Sequence, residues 1–299
     1  MNAHFPPIRW VLPGIVPDGL TLLAGQPKVG KSWLALQIAT AKSGGVPLFG
    51  GRTPTEGEVL YLAYEDNPRR LSDRLRASGL PVNHNLTFDT QWPTGEACIH
   101  AIEEWASAHP KLSLVIVDTL IRAFPDMSGN GGATYAAESR AAGAVHSLSQ
   151  RIGVPIFAVH HMRKMTSTDW VQEISGSTGL TGAADTLLGL RGERGSGVAV
   201  LSGTGRDVPD IELDLTRDAA HMVWERGGKV GPRFSAQERM IVDALQAASV
   251  ATSSGELARQ LGVRPACVSR ALSGLLDRGL VERVRHGVYV PVRKDAGAL

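Results

Sequence analysis

The 299-residue sequence has little cysteine, few aromatic residues and no long apolar run. Two cysteines, Cys98 and Cys267, are too few for a disulfide framework or a four-thiolate zinc site. No apolar run approaches the ~20 residues that cross a membrane, and the first ten residues lack the basic-then-apolar pattern of a signal peptide. We therefore expect a soluble protein of the cytoplasm that does not bind membranes.

The composition is that of a folded chain with an uneven distribution of charge. Hydrophobic residues make up 43% and charged residues 20%, which argues against a mostly disordered protein. The overall net charge is +2, but residues 233–299 contain ten Lys/Arg and six Asp/Glu and so carry +4. A basic segment joined to a near-neutral body suggests a polyanionic partner for that segment.

Short apolar runs alternate with helical patterns over the first two-thirds of the chain. The predicted strands are Thr21–Ala24, Val59–Ala63, Leu114–Val117, Ile156–Val159, Asp185–Leu190, Val198–Ser202 and Ile211–Leu215. The predicted helices are Lys31–Lys42, Arg69–Ser78, Glu96–Ala108 and Thr134–Arg151. This alternation predicts an α/β fold with a doubly wound, mainly parallel sheet, and the last strands, which lack intervening helices, predict an antiparallel edge.

Gly- and Pro-rich breaks divide the chain. A break near Gly227–Pro232 predicts a domain at 1–228, a linker at 229–234 and a second domain at 235–299. Two polar stretches, Pro125–Ala133 and Arg163–Gly182, interrupt the first domain without an apolar period. They are expected to be mobile loops, either functional or simply tolerated insertions.

The most specific motif is a complete GxxxxGK[ST] pattern between a predicted strand and a predicted helix. Its residues are Gly25, Gln26, Pro27, Lys28, Val29, Gly30, Lys31 and Ser32, followed by Trp33. Gly30 allows the backbone N–H groups to turn toward phosphate oxygens, and the helix N-terminus adds positive partial charge. Lys31 would meet the β- and γ-phosphates and Ser32 would bind Mg²⁺, so we expect ATP and Mg²⁺ as cofactors.

Acidic residues follow two of the other predicted strands. Asp118 ends the apolar strand LSLVIVD, where a carboxylate beside a P-loop would hold Mg²⁺ through water. Glu65 follows the strand of VLYLAYED and is the candidate general base that orients the attacking water. The adjacent Asp66 is expected to cap the helix that begins near Pro68.

A pair of histidines ends the strand PIFAV. His160 and His161 could be structural, but a histidine pair that leads into a polar loop favours a γ-phosphate sensor, with His161 as the contacting residue.

These segments resemble the RecA-like ATPases, specifically the AAA_25-like group that includes the RepA-type hexameric replicative helicases of plasmids and phages. The resemblance covers about residues 8–226 and is carried by GQPKVGKS, YLAYED, LVIVDT, the strand-end HH and ISGSTGLTGAADT. It implies that Glu65 is the catalytic base, that Asp118 is the Mg²⁺-linked acid and that His161 is the phosphate sensor. It also implies a homo-oligomeric ring, a hexamer, with ATP at each subunit interface.

The same resemblance assigns two further roles. Arg206, in LSGTGRDV, matches the position of an arginine finger that completes a neighbour's site, although a surface arginine in a turn is the other interpretation. Arg163 and Lys164 follow the histidine pair after one residue, Met162, and would contact single-stranded DNA in the ring channel.

The C-terminal segment resembles a winged helix-turn-helix domain. The pattern ELAxxLGVxxxxVSRALxxLxxxGLVE carries this resemblance, with GLVERVRHGVYVPV as the hairpin wing. A third helix in a DNA groove would expose base- and phosphate-contacting residues. The expected DNA contacts are Arg264, Ser269, Arg270, Arg283 and Arg285. A winged helix used for protein contact remains the alternative.

Together these features predict a DNA-dependent ATPase, a ring-forming replicative helicase of a plasmid, phage or integrated mobile element that translocates on single-stranded DNA. The alternative is an ATP-gated DNA-binding module without unwinding, such as a helicase loader, recombination mediator or regulator. A small-molecule kinase is weakly supported because no lid-like arginine cluster is apparent.

Overall fold

The computed structural model divides the chain into two compact units, Met1–Gly228 and Lys229–Leu299. The structure describes residues 7–128, 132–162, 169–174, 178–193, 195–218, 221–227, 236–248, 251–277, 281–285 and 287–291. Within this part of the chain, no helix has the length and apolar character needed to cross a membrane.

A nine-stranded mixed sheet forms the centre of the first unit. The strands of this unit are β1 (Trp10–Leu12), β2 (Val16–Pro17), β3 (Leu20–Gly25), β4 (Glu58–Ala63), β5 (Leu86–Asp89), β6 (Leu112–Asp118), β7 (Ile156–His161), β8 (Thr186–Arg191), β9 (Val198–Gly205), β10 (Ile211–Arg217) and β11 (Trp224–Arg226). The large sheet has the order β11-β10-β9-β8-β3-β7-β6-β4-β5, whereas β1 and β2 form a separate pair. Strands β5, β4, β6, β7, β3 and β8 are parallel, and β9, β10 and β11 form an antiparallel edge. This α/β architecture confirms the predicted fold class.

Helices cover both faces of this sheet. They are α1 (Lys31–Gly44), α2 (Pro68–Ser78), α3 (Glu96–Ala108), α4 (Leu120–Ala123), α5 (Gly132–Ile152) and α6 (Thr178–Ala183). Helices α1 and α2 pack on one face around Leu34, Ile38 and Leu71, and the other helices pack on the opposite face. Since both faces are covered, the central strands are almost entirely buried, which explains their uninterrupted apolar sequences.

The polar stretch Arg163–Gly182 contains more regular structure than expected for a mobile loop. Its described residues form a 3₁₀ helix at Trp170–Glu173 and most of α6, so the loop interpretation is wrong for these parts. The Trp170 ring packs on Gly189 of β8, where an added Cβ would lie 2.5 Å from the ring. One aromatic side chain packed on one glycine produces no repeating pattern of apolar residues, so the hydrophobic periodicity of the sequence did not indicate this contact. Pro125–Ala133 likewise begins with a 3₁₀ turn at Pro125–Ser128.

The second unit has three helices and a three-stranded sheet. The helices are α7 (Ala236–Ala247), α8 (Ser254–Leu261) and α9 (Pro265–Asp277), and the strands are β12 (Thr252–Ser253), β13 (Val281–Arg285) and β14 (Val288–Pro291). The side chain and backbone of Ser253 form a reciprocal capping box with Glu256 at the start of α8, and Gly262 ends α8 in a left-handed conformation. Leu257, Leu272 and other apolar side chains fill a separate core.

Candidate functional site

A cleft of about 490 Å³ opens at the carboxyl edge of the parallel strands, where β3 leads into α1. It is lined by Pro27, Lys28, Gly30, Lys31, Ser32, Trp33, Glu65, Arg74, Thr119, His161, Arg217 and Met222. Four of these residues are cationic and one is acidic. Parallel strands bring their carboxyl ends to one edge, which is why residues far apart in sequence meet here. The excess of positive charge suits a polyanion.

The phosphate loop has the geometry of an anion cradle. Gly30 precedes α1 with φ of 111°, a left-handed conformation that favours glycine. An added Cβ at Gly30 would also lie 2.8 Å from the Trp224 ring. The first turn of α1 holds no acidic residue, and none of the described side chains caps it by a hydrogen bond. Its N–H groups are therefore available to a bound anion.

Lys31 is buried at the base of this loop. Its Nζ donates to the carbonyl oxygens of Gly25 at 2.8 Å and Gln26 at 3.0 Å, and lies 3.3 Å from Nδ1 of His161. Burial lowers the pKa of Lys31 to about 8, although the carboxylates of Asp118 and Glu65 oppose the shift. Phosphate groups placed beside the ammonium would favour its charged form.

Glu65 lies near Nε2 of His161, the ring nitrogen opposite the one that Lys31 approaches. Its Oε1 accepts a hydrogen bond from Oγ1 of Thr119 at 3.1 Å and lies 3.6 Å from Nε2 of His161. His161 holds the pKa of Glu65 below its ordinary value, and Thr119 contributes in the same direction. A half-exposed, ionised carboxylate at the rim of an anion cleft has the chemistry of a general base.

Asp118 ends β6 and is buried. Its Oδ2 accepts a hydrogen bond from the Tyr61 hydroxyl at 2.8 Å, whereas Oδ1 has no hydrogen-bond partner among the described residues. Burial raises the pKa of Asp118, and the hydroxyls of Tyr61 and Ser32 oppose this shift. A free carboxylate oxygen beside a serine hydroxyl is a hard-oxygen donor set, so these residues fit Mg²⁺ held together with nucleotide phosphates.

The expected helix cap at Asp66 is wrong. Asn67 caps α2 instead, because its side-chain oxygen accepts from the backbone N–H of Arg70. The Asp66 side chain turns inward and pairs with Arg74 and Arg70. Asp66 and Asn67 precede Pro68, and both are residue types that cap helices. Because the Asp66 carboxylate pairs with two arginines, Asn67 is the residue that caps α2.

The two histidines of β7 face opposite sides of the sheet. His161 reaches the cleft, whereas His160 is buried on the face that carries α5. Neither ring nitrogen of His160 has a hydrogen-bond partner within the described residues. Burial lowers the pKa of His160 to about 4, so its imidazole is neutral at pH 7.

The edge strand β11 contributes residues that the sequence analysis missed. Trp224 donates from Nε1 to the carbonyl oxygen of Gly30 at 3.2 Å, and its backbone N–H and C=O bond to the buried side chain of Gln37 on α1. Arg217 lies over the Trp224 ring with 5.4 Å to the ring centroid. This edge folds back onto the phosphate loop from almost 200 residues away in sequence, and no local pattern indicates such a contact.

The sequence analysis also missed Arg74, which lines the cleft, and Tyr61, which is buried beside Asp118. The Arg74 guanidinium lies 5.7 Å from the centroid of the Trp33 ring. Tyr61 lies on β4 two residues before Ala63, and that spacing on a strand places both on one face. Strand alternation was a signal for the face on which Tyr61 lies, whereas its position beside Asp118 depends on the register between β4 and β6.

Arg206 lies at the opposite end of the sheet from the cleft. Strand β9 runs antiparallel to β8, so that Gly205 pairs with Thr186 rather than with the end of β8 near the phosphate loop. The Arg206 guanidinium contacts Asp185 at 3.4 Å and the carbonyl oxygen of Gly182 at 3.3 Å. The expected DNA contacts Arg163 and Lys164 lie outside the described residues.

The other expected DNA contacts lie in the second unit and are exposed. Arg264 precedes α9, and Ser269 and Arg270 lie on it. Arg283 and Arg285 lie on β13, where the Arg283 guanidinium is 5.9 Å from the centroid of the Tyr289 ring.

Comparison with known proteins places the first unit in a family of ATPases. The family model AAA_25, described as an AAA domain, matches residues 1–167. Among curated proteins, the DNA repair protein RadA of Bacillus subtilis is 29% identical over 183 residues, covering 60% of this chain and 34% of that protein. RadA of Streptococcus pneumoniae is 26% identical over 183 residues, covering 60% of this chain and 37% of that protein. The chain thus spans about a third of the length of these relatives.

Solved structures share the fold at lower identity. A DnaB-like replicative helicase, solved in a study of its interactions with primase, has a TM-score of 0.56 and 13% identity, covering 70% of this chain and 59% of that chain. An isolated ATPase domain has the same TM-score of 0.56 with 12% identity, covering 71% and 85%. The RadB recombinase has a TM-score of 0.52 and 18% identity, covering 72% and 93%. The fold of the first unit is therefore that of the RecA-like P-loop ATPases.

Proposed function

Since the chain belongs to the AAA_25 family of AAA domains, we propose that it is a DNA-dependent ATPase that works in the cytoplasm as a ring-forming replicative helicase of a plasmid, phage or mobile element. The observation that carries this proposal is the contact chain Lys31–His161–Glu65 in a cationic cleft. Through His161, these contacts connect Lys31, which is expected at the γ-phosphate, to Glu65, which is expected to activate water.

The phosphate loop and the cationic lining would hold the triphosphate. The free N–H groups at the start of α1 would bind phosphate oxygens, and Lys31 would exchange its bonds to Gly25 and Gln26 for the β- and γ-phosphates. Ser32 and Asp118 would hold Mg²⁺, which neutralises phosphate charge when bound.

Glu65 would act as the general base. Its lowered pKa keeps the carboxylate ionised at neutral pH, ready to accept a proton from the water that attacks the γ-phosphorus. The bond between the γ-phosphorus and the bridging oxygen then breaks, and ADP and phosphate leave. The Thr119 hydroxyl holds Oε1 in place during this step.

His161 would report the loss of the γ-phosphate. Its two ring nitrogens face Lys31 and Glu65, so a change in either residue alters the position of the imidazole. Arg163 and Lys164 follow His161 after one intervening residue and would transmit that change to a DNA strand.

Arg206 would complete the site of another subunit. It lies at the end of the sheet away from its own cleft, and therefore could reach a γ-phosphate only in a neighbouring copy. This arrangement supports a head-to-tail homo-oligomer, for which we propose a hexamer.

The second unit would bind duplex DNA. Its exposed residues Arg264, Ser269 and Arg270 at α9 and Arg283 and Arg285 on β13 combine donors for base edges with cations for phosphates. The local net charge of +4 favours the same partner.

The sequence similarity to the protein named DNA repair protein RadA favours a second candidate function. In that case the chain is an ATP-gated DNA-binding module, for example a recombination mediator, loader or regulator, that uses the same cleft without separating strands.

One experiment distinguishes the two candidates. ATP hydrolysis is measured with and without single-stranded DNA, and unwinding is then measured on a forked duplex with ATP or a non-hydrolysable analogue. A helicase shows DNA-stimulated hydrolysis and ATP-dependent strand separation. Stimulation without separation supports the ATP-gated module, and the absence of hydrolysis in every condition contradicts both.

A further inference from the structure

The buried pair formed by Tyr61 and Asp118 is not explained by packing alone. The Tyr61 hydroxyl lies 2.8 Å from Oδ2 of Asp118, and both residues are at most 3% exposed. The surrounding core consists mainly of aliphatic side chains. Burying a hydroxyl and a carboxylate there is unfavourable unless the two groups satisfy each other.

Strand register places this pair near the carboxyl ends of β4 and β6, the edge at which the cleft opens. In the parallel pairing of β4 and β6, Ala63 lies opposite Asp118 and Tyr61 lies opposite Ile116. Tyr61 and Asp118 therefore share the face of the sheet that α1 covers, with Tyr61 one step further from the carboxyl edge. The Tyr61 side chain is long enough to bring its hydroxyl to Asp118 across this offset. Its ring packs against Phe88 with 5.5 Å between the ring centroids.

The hydrogen bond distinguishes the two oxygens of the carboxylate. Oδ2 is occupied by the Tyr61 hydroxyl, whereas Oδ1 has no hydrogen-bond partner among the described residues. The Tyr61 hydroxyl thus holds Oδ2 in place, and Oδ1 remains available to a further electropositive group.

We propose that Tyr61 is a positioning residue for Mg²⁺, because its hydroxyl fixes the Asp118 carboxylate with Oδ1 as the free acceptor. This inference rests on the proposed nucleotide function of the cleft. Tyr61 acts only through Asp118 and touches neither metal nor nucleotide.

The test removes this hydroxyl and measures Mg²⁺-dependent binding rather than turnover. Binding of a fluorescent ATP analogue to the full chain is titrated with Mg²⁺, and is measured separately in EDTA. In Tyr61→Phe we expect the half-saturating Mg²⁺ concentration to rise about 5–20-fold, since a hydrogen bond to a charged group is lost. Affinity for the analogue in EDTA stays within about twofold, because the phosphate loop is unchanged.

Tyr64→Phe is the matched control. Tyr64 lies on the other side of the same chain segment and donates its hydroxyl to the carbonyl oxygen of Pro93, away from Asp118. This variant also loses one phenol hydroxyl, and we expect its Mg²⁺ titration to match that of the unmodified protein.

A second variant keeps the test decisive if Tyr61→Phe folds poorly. Replacing Tyr61 with 4-aminophenylalanine retains an N–H donor at the ring's para position, so we expect it to restore the unmodified Mg²⁺ dependence. The inference is overturned if Tyr61→Phe titrates like the unmodified protein, or if it weakens binding equally in EDTA. If the unmodified protein shows no Mg²⁺-dependent binding, the proposed function itself fails.

Discussion

His160 shows how one residue can link pH to stability. Burial lowers its pKa from 6.5 to about 4, so the unfolded chain binds a proton at a higher pH than the folded protein does. The contribution of the neutral imidazole is full above about pH 6.5 and is lost as the pH falls toward 4. Proton binding therefore favours the unfolded state across this range.

We expect His160→Phe to reduce this dependence. Between pH 6.5 and 4 the unmodified protein should lose on the order of 3 kcal/mol more unfolding free energy than the variant does. Urea unfolding followed by tryptophan fluorescence measures this difference, because all six tryptophans lie before residue 229. His84→Phe, at an exposed position, is the control. Parallel pH profiles for His160→Phe and the unmodified protein would contradict the expectation.

At the scale of secondary-structure elements, the antiparallel edge is tied to the phosphate loop. The Gln37 side chain donates to the carbonyl oxygen of Trp224 at 2.7 Å and accepts from its N–H at 2.9 Å, which joins α1 to β11. Trp224 in turn contacts Gly30 through its indole N–H. The Gln37 side-chain amide thus pairs with the backbone of Trp224 in the way that a neighbouring strand would.

Gln37→Leu tests this link. The substitution keeps a similar volume but leaves two buried backbone groups of Trp224 unpaired, so we expect about 2–4 kcal/mol lower unfolding free energy. Gln91→Leu, on an exposed segment, should change it by less than about 0.5 kcal/mol. Equal urea midpoints for the two variants would show that Gln37 is dispensable.

Elements with a local signal were predictable from the sequence, and those held by distant contacts were not. The motif and its flanking periodicity located β3, the phosphate loop and α1 because all three are contiguous. Strand β11 has only three residues and is held by Gln37 and Gly30, so no window of sequence contains its partners. The Asp66 error has a different origin, because its partners Arg70 and Arg74 are near in sequence and the ion pairs outweighed the preference for a cap.

At the scale of the whole molecule, the positions of Arg206 and the cleft have a consequence for assembly. They lie at opposite ends of one sheet, so the proposed role of Arg206 in hydrolysis requires the cleft of a neighbouring subunit. In such an assembly, a substitution at Lys31 would inactivate the subunit's own cleft, whereas a substitution at Arg206 would inactivate the cleft of its neighbour.

Mixing two variants tests this sharing. Arg206→Ala retains its own phosphate loop, and Lys31→Ala retains the arginine. We expect each alone to hydrolyse ATP at least about 100-fold more slowly than the unmodified protein. An equimolar mixture, unfolded and refolded together, should recover activity well above the sum of the two. A mixture no more active than that sum would contradict a site shared between subunits.

The central claim is that Glu65 activates water beside a triphosphate bound at Lys31. Replacing Glu65 with Gln keeps the size and removes the basic carboxylate. The decisive measurement is Mg·ATP affinity and single-turnover hydrolysis of Glu65→Gln in the presence of single-stranded DNA. We expect affinity within about threefold of the unmodified protein and hydrolysis slower by about 10²–10⁴-fold. Hydrolysis at the unmodified rate would contradict the account.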